Sequence, residues 1–184
     1  ARQIIARRGG EVIWDTGRES TSQMTAVPWA GAPLGSRDRV EWQVRLWDQD
    51  GHPGDWSTAS FEIGLTRPED WTATWITGDY DPSRWRRYPV DHFRTRFWCP
   101  PAGRARLYIT SLGLYRAVLN GKRVGDFLLA PGFTDYHVRL QYQTYDVTDL
   151  LTPGDNVLEV ELADGWYRGS IGAMGVRNVY GTRT

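Results

Sequence analysis

Apolar and polar residues alternate in short runs along most of the chain, and this period of two is typical of half-buried β-strands. The clearest run covers residues 40–47, where Val40, Trp42 and Val44 fall on one face and Glu41 and Gln43 on the other. The same pattern predicts further strands at residues 3–6, 11–14, 60–63, 71–76, 93–98, 115–119 and 157–162.

Turn residues separate these runs. Asn120 and Gly121 follow the run at 115–119 directly, and this pair is a strong hairpin signal because both residues tolerate a positive φ. Residues 148–151 predict one short turn, and no stretch predicts a helix of more than two turns. The predicted fold class is therefore all-β, with two consecutive β-sandwich units, the second of them jelly-roll-like. Residues 66–70 read as the linker, so the units are expected at 1–66 and 67–184.

The first unit has fewer predicted strands than a complete sandwich. A complete sandwich of this kind needs about seven strands over about 100 residues, whereas residues 1–66 predict roughly five. We therefore expect the strands before Gln3 to be missing. Because an open sheet edge invites pairing with another chain, the sequence predicts a homodimer through that edge or a partly disordered N-terminus.

Composition narrows the classes of partner. Lys and Arg together number 22, as do Asp and Glu, and this zero net charge gives no reason to expect a nucleic-acid or membrane partner. Cys99 is the single cysteine, so the chain can form no internal disulfide. No apolar run suits a membrane-spanning helix and no signal-peptide pattern is visible, which leaves open whether the protein is cytoplasmic or secreted.

The acidic residues predict no hydrolytic centre. Hydrolysis by a paired general acid and general base needs two carboxyl groups held across the scissile bond, about 6.5–9.5 Å apart. Here the neighbouring acids lie in turns or on a strand face exposed to water, where carboxylates are common without a catalytic role. The three histidines are scattered, and no nucleophile motif or phosphate-binding loop is present. We therefore expect the chain itself to be inactive as an enzyme.

Sugar binding is the candidate function that the residues favour. A pyranose offers hydroxyl groups to polar side chains and an apolar face to aromatic rings, and ten Trp and nine Tyr supply such rings. Most of these aromatics are expected in the cores, because large aromatic side chains are mostly buried. The candidate site residues, in three clusters, are Asn120, then Asp135 and Tyr136, then Asp164, Trp166, Tyr167 and Arg168.

Each cluster also has a purely structural interpretation. Asp164 and Gly165 could form a turn after a strand, with Trp166 filling the core. Asp135 could cap a turn, and Asn120 could serve only its hairpin. The residues alone leave both interpretations open.

Four ordered segments resemble one known family. Residues 107–121, 129–136, 142–148 and 162–169 are similar to the N-terminal non-catalytic region of bacterial α-L-rhamnosidases, which release terminal rhamnose. Residues 1–66 resemble the fibronectin type III-like sandwich found at the front of these enzymes, and the run Trp71-Thr-Ala-Thr-Trp-Ile76 also has a counterpart there.

The resemblance implies a function for the parent protein, since the catalytic acids of that family lie in a separate helical barrel. This chain would then assist recognition of rhamnose-containing glycans or support the catalytic domain. No cofactor is required, but some members bind rhamnose through calcium, which makes Asp135 and Asp164 candidate metal ligands. The alternatives are a stand-alone carbohydrate-binding module and a structural or adhesive pair of sandwiches. A supporting role predicts an exposed apolar docking face, whereas a binding module predicts a polar surface with one aromatic-lined groove.

Overall fold

The computed structural model describes residues 1–80, 83, 88–101, 103–172 and 175–184. The chain divides into two units, Ala1–Thr74 and Trp75–Thr184. Almost all regular structure in the described residues is antiparallel strand, so the predicted all-β class with two consecutive units is confirmed. The fibronectin type III and jelly-roll subtypes stay predictions. None of the helices in these ranges has the length and hydrophobicity needed to span a membrane.

The first unit contains one four-stranded antiparallel sheet. Its strands are β1 Arg2–Arg8, β2 Glu11–Asp15, β3 Arg39–Leu46 and β4 Ser57–Glu62. They lie in the order β2-β1-β3-β4. The buried face follows from the alternation in β1, because Ile4 lies opposite Val44 and Ala6 opposite Trp42 in the ladder. The ring of Trp29, in the connection between β2 and β3, contacts the rings of Trp14 and Phe61.

Several expectations for this unit can now be compared with the structure. The strands predicted at 3–6, 11–14, 40–47 and 60–63 are confirmed with small shifts of their ends. The strand predicted at 71–76 is wrong, because residues 71–78 pair with no other strand. A short 3-10 turn, Pro68–Asp70, directly precedes them. The alternative of a disordered N-terminus is also wrong, since β1 begins at Arg2 and lies inside the sheet. The homodimer stays a prediction.

The second unit contains a four-stranded sheet and a separate two-stranded ladder. Their strands are β5 Asp91–Cys99, β6 Arg106–Ile109, β7 Leu114–Leu119, β8 Lys122–Arg123, β9 Gln143–Asp146 and β10 Gly154–Ala163. The sheet has the order β5-β10-β7-β8, and β6 and β9 form the ladder. The core lies between sheet and ladder, where Tyr115, Ala117 and Leu119 of β7 pack with Leu107 of β6 and Tyr145 of β9.

The end of β10 leads into the segment that carries the candidate site. A four-residue helix, α1 (Gly165–Arg168), follows it directly. A short hairpin of β11 (Ser170–Ile171) and β12 (Val176–Arg177) comes next. The strands predicted at 93–98, 115–119 and 157–162, and the short turn predicted at 148–151, are confirmed.

Candidate functional site

Two glycines allow the chain to turn tightly around α1. Gly165 has a φ of +53°, and a Cβ there would lie 2.8 Å from the Cγ of Leu114. A Cβ on Gly169 would lie 2.0 Å from the carbonyl oxygen of Gly165. Only glycine therefore fits these two positions. Asp164, directly before the helix, and Arg168, its last residue, are four positions apart and so lie on the same side.

Asp164 is held between two arginines. Its Oδ1 accepts a hydrogen bond from Nε of Arg168 at 2.7 Å and lies 2.5 Å from Nη2 of the same guanidinium. Its Oδ2 accepts a hydrogen bond from Nη2 of Arg177 at 3.0 Å. Both carboxylate oxygens are therefore engaged by cations of the chain itself.

Arg168 is almost completely buried, with 1% of its side chain exposed. Its guanidinium carbon lies 5.3 Å from the ring centre of Tyr80 and 4.8 Å from that of Tyr88, and these two rings stack on each other. Burial acts to lower the pKa of Arg168, but the hydrogen bonds to the Tyr80 hydroxyl and to Asp164 outweigh it and raise this pKa. The group stays charged, and its charge is neutralised within the fold.

Aromatic side chains from three segments pack together beside α1. Tyr136 makes edge-to-face contacts with Tyr167 at 5.4 Å and with Tyr180 at 4.9 Å between ring centres. Phe133 contacts both Tyr136 and Trp166, at 6.1 and 5.9 Å. Burial, followed by the neighbouring Tyr180, raises the pKa of Tyr136. We call this group the aromatic cluster; its members are Phe133, Tyr136, His137, Trp166, Tyr167 and Tyr180.

Asp135 lies next to this cluster with 61% of its side chain exposed. Its Oδ1 accepts a hydrogen bond from the backbone N–H of His137 at 3.1 Å, and its carbonyl oxygen accepts from the N–H groups of Val138 and Arg139. Asp135 therefore stabilises a tight turn while its carboxylate remains open to solvent.

Asn120 serves its hairpin and the neighbouring strand. Its φ is +51° and that of Gly121 is +78°, as a two-residue hairpin turn requires. Its side-chain amide donates to the carbonyl of Leu150 and to Oδ1 of Asn156, while its Oδ1 accepts from the N–H of Val157. The structure thus brings the clusters at 135–136 and 164–168 together through Tyr136 and Tyr167, and gives Asn120 contacts elsewhere.

Calcium fits the two candidate ligands unequally. Calcium takes six to eight oxygen ligands and prefers carboxylates. The carboxylate of Asp135 is accessible, whereas that of Asp164 is already paired with two guanidinium groups and fits a metal poorly. Within the described part of the chain, three metal-ligating groups lie together at Asp48, Asp50 and His52, on an exposed loop of the first unit. Calcium binding stays a prediction.

Sequence reasoning missed several residues that build this region. Arg177 and Tyr180 lie in the glycine-rich tail, where no periodic pattern marks them. Tyr80 and Tyr88 lie in the polar stretch before β5, and the hydrogen bond between Arg168 and Tyr80 joins residues that are 88 positions apart in the chain. The spacing of Asp164 and Arg168, four residues apart, was the signal that could have suggested their ion pair.

The fold and the site define two antiparallel β-sheet units, the second of which pairs its acidic site residue Asp164 with Arg168 and Arg177. Residues 101–184 match the α-L-rhamnosidase N-terminal domain, and residues 1–67 match the Rha78A-like, N-terminal immunoglobulin domain. The chain therefore carries N-terminal domains of the α-L-rhamnosidase family.

Relatives agree with this assignment. An α-L-rhamnosidase of Formosa agariphila is 38% identical over 173 residues, covering 88% of this chain and 18% of the relative. An α-L-rhamnosidase of Streptomyces avermitilis is 42% identical over 155 residues, covering 69% of this chain and 15% of the relative. The crystal structure of α-L-rhamnosidase from Aspergillus terreus superimposes with a TM-score of 0.90 at 38% identity, covering 99% of this chain and 22% of that one. The chain thus spans less than a quarter of the length of each of these relatives.

Proposed function

We propose that this chain is a non-catalytic N-terminal region of an α-L-rhamnosidase and supports the catalytic part of that enzyme. The family assignment and the names of the relatives support the parent activity. The parent substrate on this proposal is a glycan that carries terminal rhamnose.

The state of the carboxyl groups carries the non-catalytic part of the proposal. A general acid in glycoside hydrolysis needs a raised pKa so that it is protonated near neutral pH. In the described residues, each carboxyl group with a resolved shift has a lowered pKa, and hydrogen bonds are the main cause. These groups are Asp15, Asp38, Asp48, Asp70 and Asp146. Asp164, the residue directly before the helix that carries Trp166 and Tyr167, is paired with Arg168 and Arg177.

A chromogenic rhamnoside tests this proposal with the chain alone. We expect no release of chromophore above the buffer rate between pH 5 and 8, since each described carboxyl group with a resolved shift has a lowered pKa and a leaving group needs an acid that is protonated. Saturable turnover that co-purifies with the 184-residue chain would contradict the proposal, and its loss in Asp164→Asn would then locate the acid.

Recognition of a rhamnose-containing glycan by the second unit is the second candidate function. The observation that favours it is the exposed carboxylate of Asp135, next in sequence to Tyr136 of the aromatic cluster. Sugar sites combine such a polar group with aromatic rings, and a calcium ion on Asp135 could bridge to sugar hydroxyls.

Titration with L-rhamnose, with and without calcium, tests this second function. If it is correct, millimolar sugar will release heat and shift the fluorescence of Trp166, and Asp135→Asn will weaken both signals. Asp126→Asn, which alters another exposed carboxylate nearby in the sequence, is the matched control and will bind normally. Absence of heat and of any fluorescence shift would reject the glycan-binding role.

A further inference from the structure

An uncharged loop of the second unit exposes large apolar side chains. We call residues 127–134 the apolar loop. Leu128 is 69% exposed, and Phe127, Leu129 and Phe133 are each at least half exposed. Apolar residues scattered singly on a surface are ordinary, but four within seven positions form a patch of the kind that marks an interaction site.

The backbone of the apolar loop is fixed by hydrogen bonds to the core of the unit. The N–H of Tyr115 in β7 donates to the carbonyl of Ala130 at 2.8 Å, and Nε2 of Gln143 in β9 donates to the carbonyl of Pro131 at 3.1 Å. Within the loop, the N–H of Gly132 donates to the carbonyl of Leu129 at 3.0 Å. The apolar side chains are therefore presented from a preorganised backbone, which lowers the entropy cost of a contact.

Charged residues lie on both sides of the apolar loop in the sequence. Residues 127–134 contain no charged side chain, while Arg123, Asp126, Asp135 and Arg139 flank them in the sequence. An apolar centre with a charged or polar rim is typical of surfaces that bury their centre against another polypeptide.

We propose that the apolar loop packs against the catalytic part of the same α-L-rhamnosidase, an inference that rests on the proposed function. The chain spans 18% of the Formosa relative, so a relative of that length has ample further polypeptide to cover the loop. The aliphatic side chains of Leu128 and Leu129, unlike the ring of Phe133, offer a sugar neither a ring face nor a hydrogen bond, so this part of the loop suits a polypeptide better than a glycan. A permanent contact within one polypeptide suits a patch that would otherwise stay exposed to water.

Amide hydrogen exchange in the 184-residue chain and in the longer enzyme that contains it tests the docking. We expect the amides of residues 127–134 to exchange at least about tenfold more slowly in the longer enzyme, a factor that corresponds to a modest contact. Leu128→Asp should abolish that protection in the longer enzyme and leave the melting temperature of the isolated chain nearly unchanged. Val12→Asp, which alters a half-exposed aliphatic residue of the first unit, should retain the protection.

Equal exchange of these amides in both proteins would overturn the docking proposal, as would protection that survives Leu128→Asp. Protection that appears in the isolated chain as its concentration rises would assign the surface to a second copy and also overturn it. If the longer enzyme shows the protection but hydrolyses no rhamnoside, the proposed function fails and the docking stands. If it hydrolyses rhamnosides without protecting the loop, the docking alone fails.

Discussion

At the scale of single residues, the ion pair at the end of β10 has a structural role that its sequence disguises. The residue types of a sugar site are present in Asp164, Trp166, Tyr167 and Arg168. Arg168, however, is buried, and its guanidinium binds the carboxylate of Asp164. The sequence could indicate that the side chains of Asp164 and Arg168 are neighbours, since these residues lie four apart on a helical turn. It could not show the burial of Arg168, because the rings of Tyr80 and Tyr88 that cover it come from a distant segment.

Removing the carboxylate of Asp164 should therefore destabilise the protein. Asp164→Ala leaves the buried guanidinium of Arg168 without its main counter-charge, and we expect a loss of about 3 kcal/mol in the free energy of unfolding. Urea denaturation at neutral pH measures it. Asp155→Ala, at an exposed position of β10, is the control and should cost less than about 0.5 kcal/mol. Equal small losses for both variants would show that the ion pair does not hold this region.

Acid should weaken the second unit through Asp146. Hydrogen bonds from the side chain and backbone of Thr148 lower the pKa of Asp146 from its ordinary value of 3.8, with a smaller contribution from Arg106. Because the folded pKa lies below the unfolded one, this stabilisation is present above about pH 4 and is lost as the pH falls through the folded pKa.

The thermal midpoint should thus fall less steeply below pH 4 in Asp146→Asn than in the unsubstituted chain. The neutral amide keeps an acceptor for Thr148 but has no proton to take up. Asp149→Asn, three residues further on, is the matched control. Identical acid profiles for Asp146→Asn and the unsubstituted chain would contradict this assignment.

At the scale of elements, periodicity predicts the strands best where one face is buried. Residues 40–47 and 157–162 alternate cleanly; the first run matches β3 to within one residue at each end, and the second lies inside β10. The run at 71–76 alternates as well but forms no strand, because alternation alone supplies no partner for the backbone. The two-residue strands β11 and β12 are too short to leave any periodic signal.

The hairpin of β7 and β8 shows an element joined to its neighbours by one side chain. Asn120 satisfies the turn with its backbone and links the turn to β10 and to the carbonyl of Leu150 with its amide. The Asn-Gly signal predicted the turn, but the partner Asn156, which is fully buried, could not be inferred from spacing.

Asn120→Ala should lower the free energy of unfolding by about 2–3 kcal/mol. The substitution leaves buried polar partners unsatisfied, and alanine is less favourable than asparagine at a positive φ. Chemical denaturation measures the loss, with the exposed Lys122→Ala as the nearly neutral control. Any binding of rhamnose should be unaffected once the variant is folded. A stable variant that has lost rhamnose binding would instead assign Asn120 to a sugar site.

At the scale of the whole molecule, the two sheet-built units correspond to less than a quarter of the length of the related α-L-rhamnosidases. The family segments at 107–121 and 162–169 were recognisable in the sequence because turns and aromatics recur there in a fixed order. The internal use of Asp164 and Asn120 and the exposed apolar loop favour a supporting role over sugar binding. The sequence alone could not show the pairing of Asp164 and Asn120 or the exposure of the apolar loop, because both depend on which side chains meet in the folded chain.

The central claim is that this chain is a non-catalytic part of a rhamnosidase. The most direct test compares hydrolysis of a chromogenic rhamnoside by equal molar amounts of the 184-residue chain and of the longer protein that contains it. The account predicts turnover by the longer protein and none by the chain. Turnover by the chain alone, or a longer protein that is folded but leaves the rhamnoside intact, would contradict it.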